Sequence, residues 1–199
     1  MSDDHEPSPT VLQVVLTDAN VLYARVLRDY LLYAAEYRAI AVAWSAQILQ
    51  ETVDHLVMNR SGFTRAAADA LVAAVTNTFP YAQRDPQPEH FARIQHLALP
   101  DEGDRHVIAA ALAAESDIVC TENTADFPDD LATEFGFVVL TPDRLLCRLI
   151  AEFPAIMRLV HETSVANLPG ATDTSTFAAL RKANAPQAAE AMKGLLNSN

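Results

Sequence analysis

The segment Val11-Leu-Gln-Val-Val-Leu-Thr-Asp18-Ala-Asn20 decides the fold, because a short apolar run stops there at polar residues. A run of this length that is rich in β-branched residues is typical of a buried strand. The spans 39–44, 117–121 and 136–140 repeat the pattern, with helical patterns between them. Short apolar strands separated by helices indicate βαβ connections. We therefore predict an α/β fold with three layers (α/β/α) around a central parallel sheet of at least four strands.

The helices begin at recognisable signals. Ser45, Thr64 and Thr141 are favourable N-caps, and Pro142 follows the last of them at the first helical position. A linker is expected at 168–175, followed by two short helices. The other predicted helices span 21–38, 46–58, 65–77, 89–97, 104–115, 142–152 and 154–166.

The pattern divides the chain into three parts. Residues 1–10 are acidic and contain proline, which predicts a loose arm. Residues 11–150 carry all the predicted strands and are expected to form one α/β domain. Residues 151–199 continue with helical patterns and no further strand, so we predict a helical C-terminal extension.

The charge balance excludes several classes of protein. The chain has 26 acidic and 14 basic residues and a net charge of −12. Its only lysines are Lys182 and Lys193, so residues 1–181 lack the amine that P-loop, Schiff-base and kinase-type sites require. The acidity also argues against a protein that coats nucleic acid with a basic face. Residues 101–134 hold ten acids and one base, which concentrates the negative charge in one stretch.

Cysteine usage and hydropathy indicate a reducing environment away from membranes. Cys120 and Cys147 each lie in an apolar stretch, so we expect small buried residues and no disulfide framework. No apolar run approaches the ~18 residues of a membrane span, and residues 1–10 do not resemble a signal peptide. We predict a cytoplasmic location.

Acidic, amide and hydroxyl side chains gather where a parallel sheet binds ligands, beyond the carboxyl ends of its strands. Each group follows a predicted strand or begins a neighbouring helix. These residues are Asp18 and Asn20 after the first strand, Glu51 on the helix after the second, Asp104 at the helix before the third, and Thr121, Asn123 and Asp126 after the third.

Two interpretations of the carboxylates are open. Mg²⁺ and Mn²⁺ prefer oxygen ligands, and unpaired carboxylates at one edge repel each other until a cation compensates them. The alternative is ordinary capping, because Asp18 and Asp104 lie at helix starts, where the helix dipole favours an acid. A zinc site would use Glu51, Asp54 and His55 on one helix face, but no second histidine motif completes it.

Four segments resemble a PIN domain and, within that family, the VapC-like ribonuclease toxins of bacterial toxin–antitoxin modules. The resemblance covers about residues 12–145. Its specific parts are Asp104-Arg-His-Val and Thr121-Glu-Asn123-Thr-Ala-Asp126-Phe-Pro. Val-Leu-Thr-Asp18-Ala-Asn20-Val-Leu and the helix that carries Glu51 complete it. The resemblance implies a five-stranded parallel sheet and a metal-dependent endoribonuclease.

The resemblance also implies roles, residue by residue. The family's four catalytic acids fall on Asp18, Glu51, Asp104 and Asp126. Asp18, Asp104 and Asp126 are the expected ligands of Mg²⁺ or Mn²⁺, and Glu51 is expected to orient or deprotonate water or to bind the metal through water. The supporting residues are Asn20, Thr121 and Asn123, with Asp101 either an outer metal ligand or simply a turn acid.

The partners implied are an RNA substrate, an antitoxin protein with a basic segment, and a second copy of the chain. Two other functions are open. One is a non-catalytic PIN-like scaffold that binds protein or RNA. The other is a haloacid-dehalogenase-like phosphatase, against which stand Asn20 in place of a second acid and the lack of any lysine before Lys182.

The basic residues and a histidine near the acids have less specific interpretations. Arg105 is expected to pair locally with Asp101, and His106 to be a packed or surface residue rather than a general base. Five arginines either flank an RNA path or form a solvated face, and these are Arg25, Arg28, Arg38, Arg60 and Arg65.

Overall fold

The structure, a computed structural model, describes residues 12–127 and 131–198, with residues 132 and 133 described by their backbone alone. The arm predicted at 1–10 lies outside the described residues. Within those ranges, four parallel strands form one sheet in the order β2-β1-β3-β4. The strands are β1 Val14–Thr17, β2 Ala41–Ala43, β3 Ile118–Cys120 and β4 Val138–Leu140.

The sheet confirms the predicted α/β fold. Each of the four predicted strands is present, although each is shorter than predicted, and the fifth strand implied by the resemblance does not occur in the described ranges. The two central strands are the most buried, since Leu16 and Val119 pair with each other and are both 0% exposed. From β1 the chain passes to β2 on one side of the sheet, and from β3 it passes to β4 on the other side. The carboxyl ends of β1 and β3 therefore form a switch point, where open α/β sheets bind ligands.

The helices surround the sheet. Their predicted N-caps are confirmed: Ser45 Oγ accepts from the backbone N–H of Ile48, Thr64 Oγ1 from that of Ala67, and Thr141 Oγ1 from that of Arg144. Two 3₁₀ turns, Glu102–Asp104 and Thr124–Asp126, lie beside the carboxyl ends of the strands. The helices are α1 Ala19–Tyr23, α2 Arg25–Glu36, α3 Ala46–Asn59, α4 Arg65–Thr78, α5 Pro88–Ile94, α6 Arg105–Ala113, α7 Leu131–Phe135, α8 Pro142–Glu152, α9 Pro154–Ala166, α10 Asp173–Lys182 and α11 Pro186–Asn197.

The single helix predicted over 21–38 is wrong, because the chain breaks at Ala24 into α1 and α2. Ala24 is extended, with φ −77° and ψ 108°. Two guanidinium groups stabilise the break by binding the last carbonyls of α1: Arg28 Nη1 donates to the carbonyl of Leu22 at 2.7 Å, and Arg60 Nη2 to that of Tyr23 at 3.1 Å. A helix end that is satisfied by side chains in this way can stop without continuing.

The helix predicted from Asp104 also differs at its start, where a 3₁₀ turn precedes α6. The short helix α7 was not predicted. Cys120 is fully buried as expected, whereas Cys147 is only partly buried, and both are free thiols. In the part of the chain that the structure describes, no helix is long and apolar enough to cross a lipid bilayer.

The C-terminal helices share the core of the α/β domain. Met157, Leu180 and Met192 are each 0% exposed and belong to the same apolar cluster as Leu16. A buried polar contact adds to this packing, because the backbone N–H of Ala188 on α11 donates to Asp143 on α8 at 2.7 Å. The division at residue 150 therefore stays a prediction, while the packing of the extension on the domain is observed.

One buried histidine fastens α10 to the domain. His161 on α9 has its Nδ1 within hydrogen-bond distance of the Tyr30 hydroxyl on α2 and its Nε2 3.2 Å from Asp173. Its ring also stacks on Phe177, with centroids 5.1 Å apart. We call these four side chains the His161 clamp, which joins α2, α9 and α10.

Candidate active site

Asp18 lies at the end of β1 and has both carboxylate oxygens hydrogen bonded. Its Oδ1 accepts from the backbone N–H of Ala19 at 2.6 Å, and its Oδ2 accepts from Asn20 Nδ2 and Thr121 Oγ1, both at 2.7 Å. Asp18 is 6% exposed. A carboxylate that has lost most of its water needs such donors, because burial without them is costly. Its orientation is thus fixed by the protein.

Thr121 joins the ends of β1 and β3 across the switch point. While its hydroxyl donates to Asp18, it accepts from Asn20 Nδ2 at 3.1 Å and from the backbone N–H of Asn123 at 3.2 Å. Asn20 Oδ1 in turn accepts from the backbone N–H of Glu122 at 3.2 Å. The structure therefore brings Asp18, Asn20 and Thr121 into one hydrogen-bonded group.

Asp104 is the opposite kind of acid. Among the described residues its carboxylate has neither a hydrogen bond nor an ion pair, and it does not cap α6. The pKa of Asp104 is raised from an ordinary 3.8 to about 6. Burial is the largest cause, and the negative charges of four nearby acids add to it: Asp18, Asp126, Asp101 and Glu51. The other three predicted catalytic acids thus lie within electrostatic reach of Asp104. Capping accounts for one oxygen of Asp18 and does not account for Asp104.

Glu51 on α3 is positioned by two neighbours. Its Oε1 lies 3.1 Å from His106 Nε2 on α6 and accepts from Gln47 Nε2, also at 3.1 Å. The His106 side chain is 12% exposed, and its Nδ1 is buried with no partner among the described residues. From the sequence we expect a packed or surface histidine, and this contact with Glu51 is not predicted. His106 lies two residues after Asp104, which places it near the acids, but no local sequence pattern connects His106 with Glu51.

The other predicted residues occupy more exposed positions. Asp126 is partly exposed on its 3₁₀ turn, and Asn123 is exposed, with only its backbone in contact with Thr121. Asp101 caps the turn at 102–104 by accepting from the backbone N–H of Gly103 at 2.7 Å. A Cβ atom at Gly103 would lie 3.0 Å from the same oxygen, so a larger residue there would have to displace the Asp101 carboxylate slightly. Asp101 thus has the geometry of the turn acid.

Arg105 makes local contacts, as expected, but with a different partner. It forms two hydrogen bonds with Glu102, both at 2.7 Å, instead of one with Asp101. It also donates to the carbonyl of Leu97 at 2.9 Å. The predicted partner, Asp101, instead accepts from the backbone N–H of Gly103 through its Oδ1.

The C-terminal extension reaches the site through one contact. Asn184, between α10 and α11, donates from Nδ2 to Glu122 Oε2 at 2.9 Å. The backbone N–H of Glu122 also donates to Asn20 Oδ1, and Glu122 Oε1 is buried without a partner in the described structure. A contact that joins residues 62 positions apart leaves no signal in a local pattern.

The donor chemistry of this edge fits a hard divalent cation. Carboxylate oxygens are preferred ligands of Mg²⁺ and Mn²⁺. None of the ion pairs among the described residues involves Asp18, Asp104 or Asp126, so their charge is uncompensated. Within the same residues, no three His, Cys, Asp or Glu side chains converge as a ready metal site. The fit therefore lies in charge and donor type, not in a formed coordination sphere.

Comparison with known proteins gives the family. The family model described as PIN domain matches residues 14–125, more than half of the chain. The chain belongs to the PIN-domain family, whose members are in general nucleases and hence hydrolases. The matched range contains Asp18, Glu51 and Asp104, and Asp126 lies one residue beyond it. No curated protein and no solved structure matches the chain.

Proposed function

We propose that the protein is a Mg²⁺- or Mn²⁺-dependent endoribonuclease that hydrolyses phosphodiester bonds of RNA. The observation that carries this proposal is the uncompensated carboxylate of Asp104. It stands among four other acids and has no partner in the described residues, while Asp18 beside it is already oriented. A purely structural acid would be paired or capped, as Asp101 and Asp117 are by the backbone N–H groups of Gly103 and Val14.

Each residue of the site has a separate role in the proposed reaction. Asp18, Asp104 and Asp126 would hold the metal ion, which when bound lowers the pKa of a coordinated water and offsets charge on the phosphate. Asn20 and Thr121 keep the Asp18 carboxylate in one orientation. Glu51, whose Oε1 contacts His106, would take a proton from attacking water with its other oxygen. The exposed amide of Asn123 is available to donate to a phosphate oxygen.

The toxin role belongs to the same proposal. Acids that repel one another also bind a guanidinium or ammonium group, so a basic segment of an antitoxin would compensate Asp104 in place of metal. We propose such an antitoxin as the protein partner, and a homodimer as the assembly. A co-purified partner without a basic segment near these acids would count against this part.

Cleavage of purified RNA tests the enzyme. We expect cleavage with Mg²⁺ or Mn²⁺, none in EDTA, and none of DNA of the same sequence. Asp104→Asn is expected to lower the rate about 100-fold or more, since loss of a metal-binding or proton-transferring group has effects of this size. Glu152→Gln is the matched control, because it removes one acid on α8 that only pairs with Arg148. Full activity of folded Asp104→Asn contradicts the assignment.

The competing function is a PIN-like scaffold that binds RNA without cleaving it. The lack of three converging ligands in the described residues is the observation that favours it. A scaffold predicts RNA binding that is unchanged by Asp104→Asn and no response to Mn²⁺.

A further inference from the structure

A cavity of about 600 Å³ lies between the α1–α2 junction, the end of α3, and helices α9 and α10. It is separate from the acidic edge, by which we mean the edge of the sheet with Asp18, Glu51, Asp104 and Asp126, but adjoins it. No predicted catalytic residue lines the cavity. Its volume is in the range of small-molecule sites. Much of its wall is apolar, formed by Ala24, Val26, Leu168, Ala179 and Ala183.

Three basic side chains line the same cavity: Arg25, Arg60 and Lys182. Such a group is unexpected in a chain with a net charge of −12 and two lysines. Lys182 is exposed and has no ion pair in the described residues, and Arg25 is 46% exposed with one pair, to Asp29 at 3.2 Å. Lys182 is therefore available to an anion, whereas Arg25 already pairs with Asp29, an acid that also lines the cavity.

Arg60 and Arg28 show how closely the cations are grouped. The Arg60 guanidinium lies over the Tyr23 ring at 5.2 Å while it donates to the Tyr23 carbonyl. Arg28 is buried near Arg25 and Arg60; burial lowers its pKa, the charge of Asp29 opposes this, and the charges of Arg60 and Arg25 add to the lowering. Asp29, which also lines the cavity, is one carboxylate among these cations, so a bound anion would offset further positive charge.

The cavity adjoins the acidic edge through two connections. Tyr23, in the cavity wall, is one turn of α1 away from Asn20, which is about 5 Å along the axis. On the other side, Ala183 lines the cavity and the next residue, Asn184, binds Glu122 at the site. Two residues that line the cavity are therefore near neighbours in sequence of residues that contact the acidic edge.

We propose that this cavity binds a nucleotide of the RNA strand next to the cleaved bond, with its phosphate at Arg25, Arg60 and Lys182 and its base on the apolar wall. The inference rests on the proposed function, since it supplies a second subsite for the same substrate. Phosphates are bound by arginine and lysine, and single-stranded bases by apolar and aromatic surfaces. The acidic edge alone attracts no phosphate backbone, so the cavity supplies the affinity that the edge lacks.

Binding of RNA in EDTA tests the proposal without cleavage. The probe is a short, fluorescein-labelled single-stranded RNA of mixed sequence, followed by fluorescence anisotropy. We expect Lys182→Gln and Arg25→Gln each to weaken binding about five- to tenfold, and the slope of log K against log salt to fall by about 0.7 for each phosphate that the variant no longer neutralises. Arg60 is not substituted, because it caps α1.

Two matched controls remove the same charge elsewhere. Lys193→Gln changes the other lysine, on α11. Arg148→Gln changes an arginine on α8 with the same kind of i,i+4 pair as Arg25, since Arg148 Nε lies 2.8 Å from Glu152. We expect both controls to bind within twofold of the unaltered protein. Equal losses in all four variants, or no loss in any, overturn the proposal, as does a lack of RNA binding in EDTA.

A parallel cleavage assay with Mn²⁺ separates this inference from the proposed function. If the unaltered protein cleaves RNA and the cavity variants behave like the controls, the cavity proposal fails and the enzyme stands. If the cavity variants lose binding but no cleavage occurs with metal, the cavity is supported as an RNA-binding site and the proposed ribonuclease activity is contradicted.

Discussion

The two sides of the acidic edge are built in opposite ways. In the hydrogen-bonded half, formed by Asp18, Asn20 and Thr121, both oxygens of the carboxylate are bound to donors of the protein. In the charged half, formed by Asp104, Glu51 and Asp126, Asp104 has no such partner in the described residues and its pKa is raised to about 6. Both halves contain acids on neighbouring elements, so the difference comes from what surrounds them.

The difference separates orientation from charge. The hydrogen-bonded half lies at buried strand ends, where unpaired polar groups are costly and are therefore satisfied. The charged half lies on a helix and on 3₁₀ turns nearer the surface, where a repulsive arrangement persists until a cation binds. A functional site is where such local conflict is expected. One half positions an acid, and the other provides binding energy for a positively charged ligand.

The largest effect should be the rise in Tm that a divalent metal causes by binding to the charged half. At 100 times Kd, a ligand that binds only the folded state adds about 2.7 kcal/mol, which for a chain of this size is about 5–10 °C in Tm. We expect this shift with Mn²⁺ or Mg²⁺ in the unaltered protein and in Glu152→Gln, and little of it in Asp104→Asn. Differential scanning fluorimetry measures it. An undiminished shift in Asp104→Asn shows that the metal binds elsewhere.

Removal of the Thr121 hydroxyl should have the second largest effect, a decrease in the free energy of unfolding. Thr121→Val takes one donor from Asp18 and leaves the backbone N–H of Asn123 without its acceptor. It also removes one of the two acceptors of Asn20 Nδ2, the other being Asp18 Oδ2. We expect a loss of about 1–3 kcal/mol in the free energy of unfolding. Thr52→Val is the control, because buried Thr52 donates only to the carbonyl of Ile48 in its own helix. Urea unfolding in EDTA measures both, and equal losses would mean that the hydrogen-bonded half is not special.

The smallest effect concerns the pH dependence of stability without metal. A folded-state pKa of about 6 against an ordinary 3.8 means that the folded protein binds the Asp104 proton more tightly than the unfolded chain. The stabilisation is therefore complete below about pH 4 and is lost as the pH rises through 6. Asp104→Asn lacks this loss, so we expect its Tm to gain on the unaltered protein between pH 4 and 7. Thermal melts in EDTA across this range check the trend, and a constant difference in Tm contradicts it.

The strand ends were predictable and the contacts across the site were not. Asp18 and Thr121 each follow a short apolar run, and the parallel topology places such residues at one edge. The break at Ala24 depends on Arg60, which lies 37 residues beyond the Tyr23 carbonyl that it binds. The pair of Glu51 and His106 likewise depends on how α3 meets α6. Periodicity and capping describe neighbours in sequence, so they predict elements and their ends but not which side chains meet.

The His161 clamp has a consequence for how the protein is made. Tyr30 leaves the ribosome long before Asp173 and Phe177, because synthesis proceeds from the N-terminus. Until α10 is synthesised, the surface of α2 that the clamp covers has no neighbour from that helix, and until α11 is synthesised, Asp143 lacks the Ala188 N–H that it binds. A chain interrupted before α10 therefore loses one wall of its core, and we expect it to be a substrate for cellular proteases rather than a smaller nuclease.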